Sequence, residues 1–269
     1  MDRKTIQSAL VLIGLVCGTG SAFAQTPVAT WDFNNTLNAN QSGAPALTAI
    51  DPLGQNSFVT DTVFGLTRTV YQYSGTQFPP SLQAGLSVNT TGLLTHGNLY
   101  SVDMVFKIDA SQSTWKNIFG VSNRTSDNAF YVEPGNKLQI YPTGNGTTNF
   151  TFGEYHHVTL TNNGAGHVTS YLDGAFQFDL TTTVMDFSTY ASANPDRLIT
   201  FFADNLVGGG IGEFSNGHVA SISLYNSELT RVEVADVSKP VPEPSEYVLM
   251  LAGLGLVGFM ARRKARKAA

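Results

Sequence analysis

From Tyr100 to Ile108 the chain alternates. Tyr100, Val102, Met104, Phe106 and Ile108 fall on one face of an extended segment, and Ser101, Asp103 and Lys107 fall on the other. Such alternation suits a half-buried β-strand and no helix, whose faces recur every 3.6 residues. Shorter runs rich in β-branched and aromatic side chains occur at Val28–Phe33, Thr69–Tyr73, Lys137–Tyr141, Tyr155–Thr161, His167–Leu172, Ala175–Leu180, Leu198–Ala203 and His218–Tyr225. Turn clusters separate them, including Pro134-Gly135-Asn136, Thr143 to Thr148 and Asn162 to Gly166. Asp173-Gly174, flanked by apolar runs, predicts a tight hairpin, because a type I′ turn needs positive φ at both central positions. One helix of one or two turns is predicted at Ser227–Val237. Many short strands with little helix predict an all-β, antiparallel sandwich or barrel.

The two ends are built differently. Arg3 and Lys4 precede the mostly apolar run Ile6 to Val16, and Ala22-Phe23-Ala24 places small residues two apart. This order is that of a secretory signal peptide over residues 1–24, cleaved after Ala24 by signal peptidase. Cys17 follows bulky Leu15 and Val16, so no lipoprotein attachment site is present, and the mature chain has no cysteine. Disulfides and cysteine chemistry are thereby excluded. At the other end Val241-Pro242-Glu243-Pro244 sits in a helix-breaking spacer at 239–246, an uncharged apolar run spans 247–261, and Arg262, Arg263, Lys264, Arg266 and Lys267 follow within 262–269. A helix over 247–261 would be roughly 22 Å long, short of the ~30 Å hydrocarbon core. The basic end is expected to stay cytoplasmic, which puts the rest outside.

The breaker, the Gly-rich apolar run and the basic cluster together resemble the PEP-CTERM sorting domain of biofilm-forming Gram-negative bacteria. The resemblance covers Val241 to Ala269. It implies recognition by an exosortase-type transpeptidase, transient anchoring in the inner membrane, loss of the tail, and delivery to the cell surface or beyond.

Between the ends, residues 25–238 suffice for one domain burying roughly 70% of its unfolded surface. From Gln25 to Pro242 there are 17 Asp+Glu against 8 Lys+Arg, so this region is far more acidic than the chain's formal −5. That argues against nucleic acid and anionic lipid as partners. Several segments in order resemble the laminin-G-like (concanavalin A-like) domains: Trp31-Asp32-Phe33-Asn34, Tyr100 to Phe106, Gly153 to Thr161, Ser170-Tyr171-Leu172-Asp173-Gly174, Asn216 to Asn226 and Leu229 to Val234. The resemblance implies a two-sheet jelly roll of about 12 to 14 strands with its ends on neighbouring strands.

The chemical signals are sparse. No Glu-x-Asp-x-x-Glu strand, Gly-x-Ser-x-Gly elbow, His-Glu-x-x-His helix or phosphate-binding loop occurs, and Gly208-Gly209-Gly210 reads as a loop. His156 and His157 are adjacent in a strand and so face opposite ways, which makes zinc unexpected, and the laminin-G-like resemblance implies that His157 is a packing and hydrogen-bonding residue. The laminin-G-like resemblance implies one Ca²⁺, the only cofactor it suggests, at Asp32, Asn34 and Asn40. However, Asn40 and Ala220 stand where the family often has Asp, and both changes remove negative charge, which leaves a weak or absent site at least as open as a functional one. Tyr131, Tyr141, Trp115 and Tyr190, near Asn145 and Asn149, are the candidates for a glycan-binding face, and each could instead fill the core. The expected function is a non-catalytic surface or matrix protein that binds extracellular polysaccharide or a surface protein in biofilm or envelope assembly. A purely structural matrix component and a carbohydrate-active enzyme without familiar motifs are the alternatives.

Overall fold

The structure, a computed structural model, describes residues 25–109, 114–207 and 212–239. The signal peptide, Gly208–Gly210, the Val241–Pro244 motif, the apolar run and the basic cluster lie outside these described residues. Among the described residues, no helix is long and apolar enough to cross a membrane.

In chain order the strands are β1 (Ala29–Trp31), β2 (Thr48–Ile50), β3 (Ser57–Val63), β4 (Leu66–Tyr73), β5 (Gly85–Asn89), β6 (Leu99–Ile108), β7 (Lys116–Gly120) and β8 (Phe130–Val132). They continue with β9 (Lys137–Ile140), β10 (Gly144–Asn149), β11 (His156–Asn163), β12 (His167–Leu172), β13 (Ala175–Thr181), β14 (Leu198–Phe201) and β15 (Gly217–Tyr225), and close with helix α1 (Arg231–Val237). Two antiparallel sheets result. The eight-stranded one runs β13-β12-β11-β6-β15-β4-β3, with β1 sharing an edge of β15 with β4. The seven-stranded one runs β10-β9-β8-β7-β14-β5-β2. This is the all-β jelly-roll sandwich expected, and β1 on β15 puts the first strand beside the last.

The alternating face of β6 points into the core: Tyr100, Val102, Met104, Phe106 and Ile108 are buried between the sheets. They meet Ile118, Phe130, Val132, Leu138 and Ile140 from the other sheet in one cluster. Each such aliphatic or aromatic side chain contributes about 1.5–3 kcal/mol by leaving water. The opposite face of β6 is not solvated as expected, for Ser101 and Asp103 are buried too. The lead-in to α1 covers Ser101, whose Oγ donates to the Ser227 carbonyl at 2.8 Å and accepts from the Leu229 N–H at 2.9 Å, while Asp103 Oδ1 accepts from Thr159 Oγ1 at 2.7 Å.

The Asp173-Gly174 hairpin has φ of 51° and 77°, as its turn type demands. The segment Thr143–Thr148, expected to be a turn, instead contributes most of edge strand β10. Its poor β propensity is offset from the facing sheet: Gln177 Oε1 accepts from the Thr147 and Thr148 N–H groups at 3.2 and 2.9 Å. The turn expected at Asn162–Gly166 is narrower, since β11 runs on to Asn163.

Candidate functional site

On β7 and β8 the residues alternate between core and outer face. Ile118, Phe130 and Val132 enter the core, while Asn117 and Tyr131 are direct cross-strand partners on the other face. The same row continues through Gln139 on β9 and Asn145 on β10 to the sheet edge. Tyr131 carries its hydroxyl to a group of carboxylates. It lies 2.7 Å from the Asp127 carbonyl oxygen and 3.2 Å from Asp204 Oδ1, so one proton serves either acceptor.

Asp204 is held from every side. Its Oδ2 accepts from the Gly212 and Glu213 N–H groups, both at 3.1 Å, and its own N–H donates to Gln83 Oε1 at 2.8 Å. Arg124 Nε donates to its carbonyl at 2.6 Å, and the rest of that guanidinium binds the Pro80 carbonyl and Gln83 Oε1. Glu213 then adds a second carboxyl beside it. Burial, and after it the neighbouring Asp204, pushes the Glu213 carboxyl up to about 8. With Asp127, the three carboxylates offer oxygens that all lie within 4.8 Å of one another.

Aromatic rings wall this acidic group. Trp115 stands edge-on to Tyr131 at 5.6 Å and to Tyr141 at 5.3 Å between centroids. Trp115, Asp127, Tyr131, Tyr141 and Glu213 line one cavity of about 150 Å³. That is well below the ~300–1,000 Å³ of pockets that bury a drug-sized ligand, so it suits the edge of a sugar ring or a hydrated ion. Apolar faces beside acceptors are what a sugar needs, with C–H surface on one side and hydroxyls on the other.

Three of the four aromatics singled out in the sequence thus come together. Tyr190 does not join them; it ends the short turn Phe187–Tyr190, packed against the core. The acids Asp127, Asp204 and Glu213 carry no local signal, because three separate segments supply them and only the topology unites them.

The other expected residues fall elsewhere. His156 and His157 do face opposite ways. His156 Nδ1 lies 2.8 Å from Asp173 Oδ2 and its Nε2 2.9 Å from the Thr151 carbonyl, whereas the His157 ring lies 3.0 Å from Asp103 Oδ1. Asp32, Asn34 and Asn40 line one open hollow with Arg68 and Thr69. Asn40 Nδ2 donates to Asp32 Oδ2 at 2.5 Å, and Arg68 Nη2 donates to the carbonyls of Asp32 at 3.2 Å and Ala220 at 2.8 Å. A guanidinium bound to the Asp32 carbonyl puts fixed positive charge beside these ligands, and they fit a dication poorly.

Comparison with known proteins places this geometry in context. The family model described as the concanavalin A-like lectin/glucanases superfamily matches residues 81–235, and that of the PEP-CTERM protein-sorting motif matches 240–264. Among solved structures, domain 4 of AbnA, a GH43 extracellular arabinanase from Geobacillus stearothermophilus in complex with arabinotriose, superposes with a TM-score of 0.58 at 18% identity, over 80% of this chain and 100% of that one. Botulinum neurotoxin type C, whose cell entry depends on interaction with two ganglioside molecules, gives 0.52 at 14% identity, over 80% of this chain and 50% of that one. The binding domain of serotype D gives 0.51 at 12%, over 79% and 50%. The chain therefore spans all of the first and half of the toxin chains, and at these identities the likeness is one of fold. No curated protein sequence matches.

Proposed function

The chain belongs to the concanavalin A-like lectin/glucanases superfamily, and on that premise we propose that it is an exported surface or matrix protein whose sandwich holds extracellular polysaccharide without cleaving it. The observation that carries the proposal is the cavity in which Trp115, Tyr131 and Tyr141 meet Asp127 and Glu213. Behind buried Asn117 and Tyr131, half-buried Gln139 and exposed Asn145 extend it toward the sheet edge, offering amides along the track of a chain of sugars. Domain 4 of AbnA was solved with arabinotriose on this fold, which supports a glycan as ligand class. The PEP-CTERM motif supports the route: signal peptidase acts after Ala24, the apolar tail anchors the chain in the inner membrane, and an exosortase-type transpeptidase removes it.

One pair favours a second reading. Glu213, whose carboxyl holds its proton near neutral pH, sits beside Asp204, and an acid next to a carboxylate is what glycosidases use. Against hydrolysis, two backbone N–H groups take Asp204 Oδ2, and the pair crowds one point instead of flanking a glycosidic bond.

Full-length protein in detergent, applied to a polysaccharide array and assayed for reducing-sugar release, separates the readings. Retention without release is expected, and Trp115→Ala and Tyr141→Ala should each weaken it about tenfold, roughly 1.4 kcal/mol, without lowering Tm by more than a few degrees. Retention of no polysaccharide would favour a purely structural role, and release of sugar would overturn the proposal.

A further inference from the structure

The outer face of the eight-stranded sheet carries an open cavity that the aromatic site on the other sheet leaves unused. It measures about 970 Å³, at the upper end of the ~300–1,000 Å³ in which proteins hold small ligands. Asp103, His157, Ser221 and Ser223, all on the outward face of β6, β11 and β15, form its floor. Its walls are the β3–β4 turn at Phe64 and the end of α1 at Val237.

Phe64 breaks a local rule. Val63 pairs with Leu66, so Phe64-Gly65 is a two-residue turn, with φ of 49° and 86°. Asn, Asp or Gly suits the first position of such a turn, and the other hairpin of this kind has Asp173 there. A bulky side chain at positive φ costs roughly 1–2 kcal/mol. Phe64 is 48% exposed, so burial offsets little of that cost. A large ring kept at a strained position beside an open cavity points to function and not to folding.

The floor supplies a second, independent observation. Asp103 and His157 are 6% and 8% exposed. Asp103 Oδ1 accepts from Thr159 Oγ1 at 2.7 Å. His157 Nδ1 lies 3.0 Å from that same oxygen, yet without the alignment of a hydrogen bond. An unmatched buried polar atom costs about 1–3 kcal/mol, which a ligand hydroxyl bridging the pair would remove.

The lining also selects a ligand class. Asp32, Asp103 and Asp236 face Arg68 and Lys239, so the charges nearly balance, and most are engaged: Arg68 on the Asp32 and Ala220 carbonyls, Lys239 on Asp236. A ligand without net charge fits this balance. Both flanks of β6 and of β11 are already hydrogen-bonded, so the floor cannot add a peptide strand and offers side chains alone. Hydroxyls, a carboxylate and an imidazole beside an aromatic ring match the hydroxyl edge and the C–H face of a sugar.

We propose that this cavity is a second saccharide site, in which a neutral sugar ring stacks on Phe64 and sets its hydroxyls on Asp103, His157 and Ser223. With the Trp115 cavity on the opposite sheet, it makes one molecule a bridge between two polysaccharide chains. The bridging, though not the site, rests on the reading of the Trp115 cavity given above.

The test uses full-length Trp115→Ala protein in detergent, which takes the aromatic wall out of play. It is titrated by calorimetry with arabinotriose, maltotriose, cellotriose and, as a charged counterpart, trigalacturonate. Saturable binding of at least one neutral sugar is expected, and adding Phe64→Asn or Asp103→Asn should weaken it at least tenfold. Phe64→Asn also gives the turn the Asn-Gly pair it favours, so Tm should stay level or rise by about 2–4 °C. A fall in Tm would mark the ring as structural and overturn the proposal. So would no binding of a neutral sugar, binding that Phe64→Asn leaves unchanged, or tighter binding of trigalacturonate. The Trp115 cavity is judged separately: equal retention of polysaccharide by the native and Trp115→Ala proteins would sink that reading and leave this one standing.

Discussion

Two carboxyls in this molecule are driven in opposite directions by their surroundings. Burial alone would raise Asp61, yet Lys107 Nζ and His218 Nδ1 at 2.7 Å, the Thr62 N–H at 2.8 Å and the Tyr155 hydroxyl at 2.9 Å hold it well below the usual carboxylate range. At Glu213 only its own backbone N–H opposes the rise, and burial beside Asp204 lifts it to about 8. Between its ordinary 4.5 and that value the folded chain binds a proton that the unfolded chain does not. Stability must therefore fall as pH rises through this window, and above pH 8 the full cost is present. Glu213→Gln, which cannot ionise, should match the native protein at pH 4–5 and exceed it by about 2 kcal/mol at pH 9, after discounting for solvent screening. Urea melts at the two pH values measure this, and equal stability at pH 9 would refute the assignment. Neither carboxyl's behaviour is legible in the sequence. Asp61 and Glu213 read there as lone acids, and the partners that shift them come from distant segments. The aromatic wall is half legible: Trp115, Tyr131 and Tyr141 stand out as candidates, but only strand pairing decides that Tyr131 lies on the face of its sheet away from the core, where it is still buried, and that Tyr190 does not join it.

At the scale of elements, what the sequence reveals depends on who sets the register. β6, β11, β12, β13 and β15 are long enough to show their own alternation or hairpin, and their bounds follow the predicted runs closely. β2, β5, β7, β8 and β10 are short, and neighbours decide them. At Gly85, in β5, an added Cβ would sit 2.1 Å from the Phe201 carbonyl oxygen, so only glycine lets β5 close on β14. Period-two reasoning cannot see such a contact. Helix α1 is the opposite case, since its start is written locally. Thr230 Oγ1 accepts from the Glu233 N–H at 3.3 Å, and Glu233 Oε2 accepts from the Thr230 N–H at 2.8 Å, which makes a reciprocal capping box. The helix seats Val234 against Tyr171, Tyr225 and Leu229 on the outer face of the eight-stranded sheet. Thr230→Ala should cost about 1 kcal/mol and lower Tm by about 2–4 °C, read by calorimetry, with glycan retention by the aromatic cavity unchanged because that cavity lies on the other sheet. A loss of that retention would place the site here instead.

At the scale of the whole molecule, the first and last of the described strands lie side by side on one sheet. β1 pairs with β15, and Ser227 Oγ donates to Gln25 Oε1 at 3.0 Å, so Gln25 lies beside the lead-in to α1. The proposed signal peptide and the sorting tail therefore leave from the eight-stranded side, and the aromatic cavity lies on the seven-stranded one. On the proposed route, a chain still held by its tail would carry the cavity on the sheet away from the points where the two end segments join. The charge is divided in the same way: 17 acids and 8 bases from Gln25 to Pro242, with five of the remaining bases in the last eight residues. Removing the tail would separate an acidic domain from its basic anchor and leave a product with little affinity for anionic membrane. Release then depends on the motif being recognised. Replacing Pro242, Glu243 and Pro244 by alanine, in a host that carries an exosortase-type enzyme, should leave the intact mass unchanged by tail loss and hold the chain in the membrane fraction. The native sequence should appear outside it, lighter by the apolar and basic segments. Mass spectrometry of both fractions decides this, and identical processing of the two forms would show that the Pro-Glu-Pro segment is a spacer and not an address.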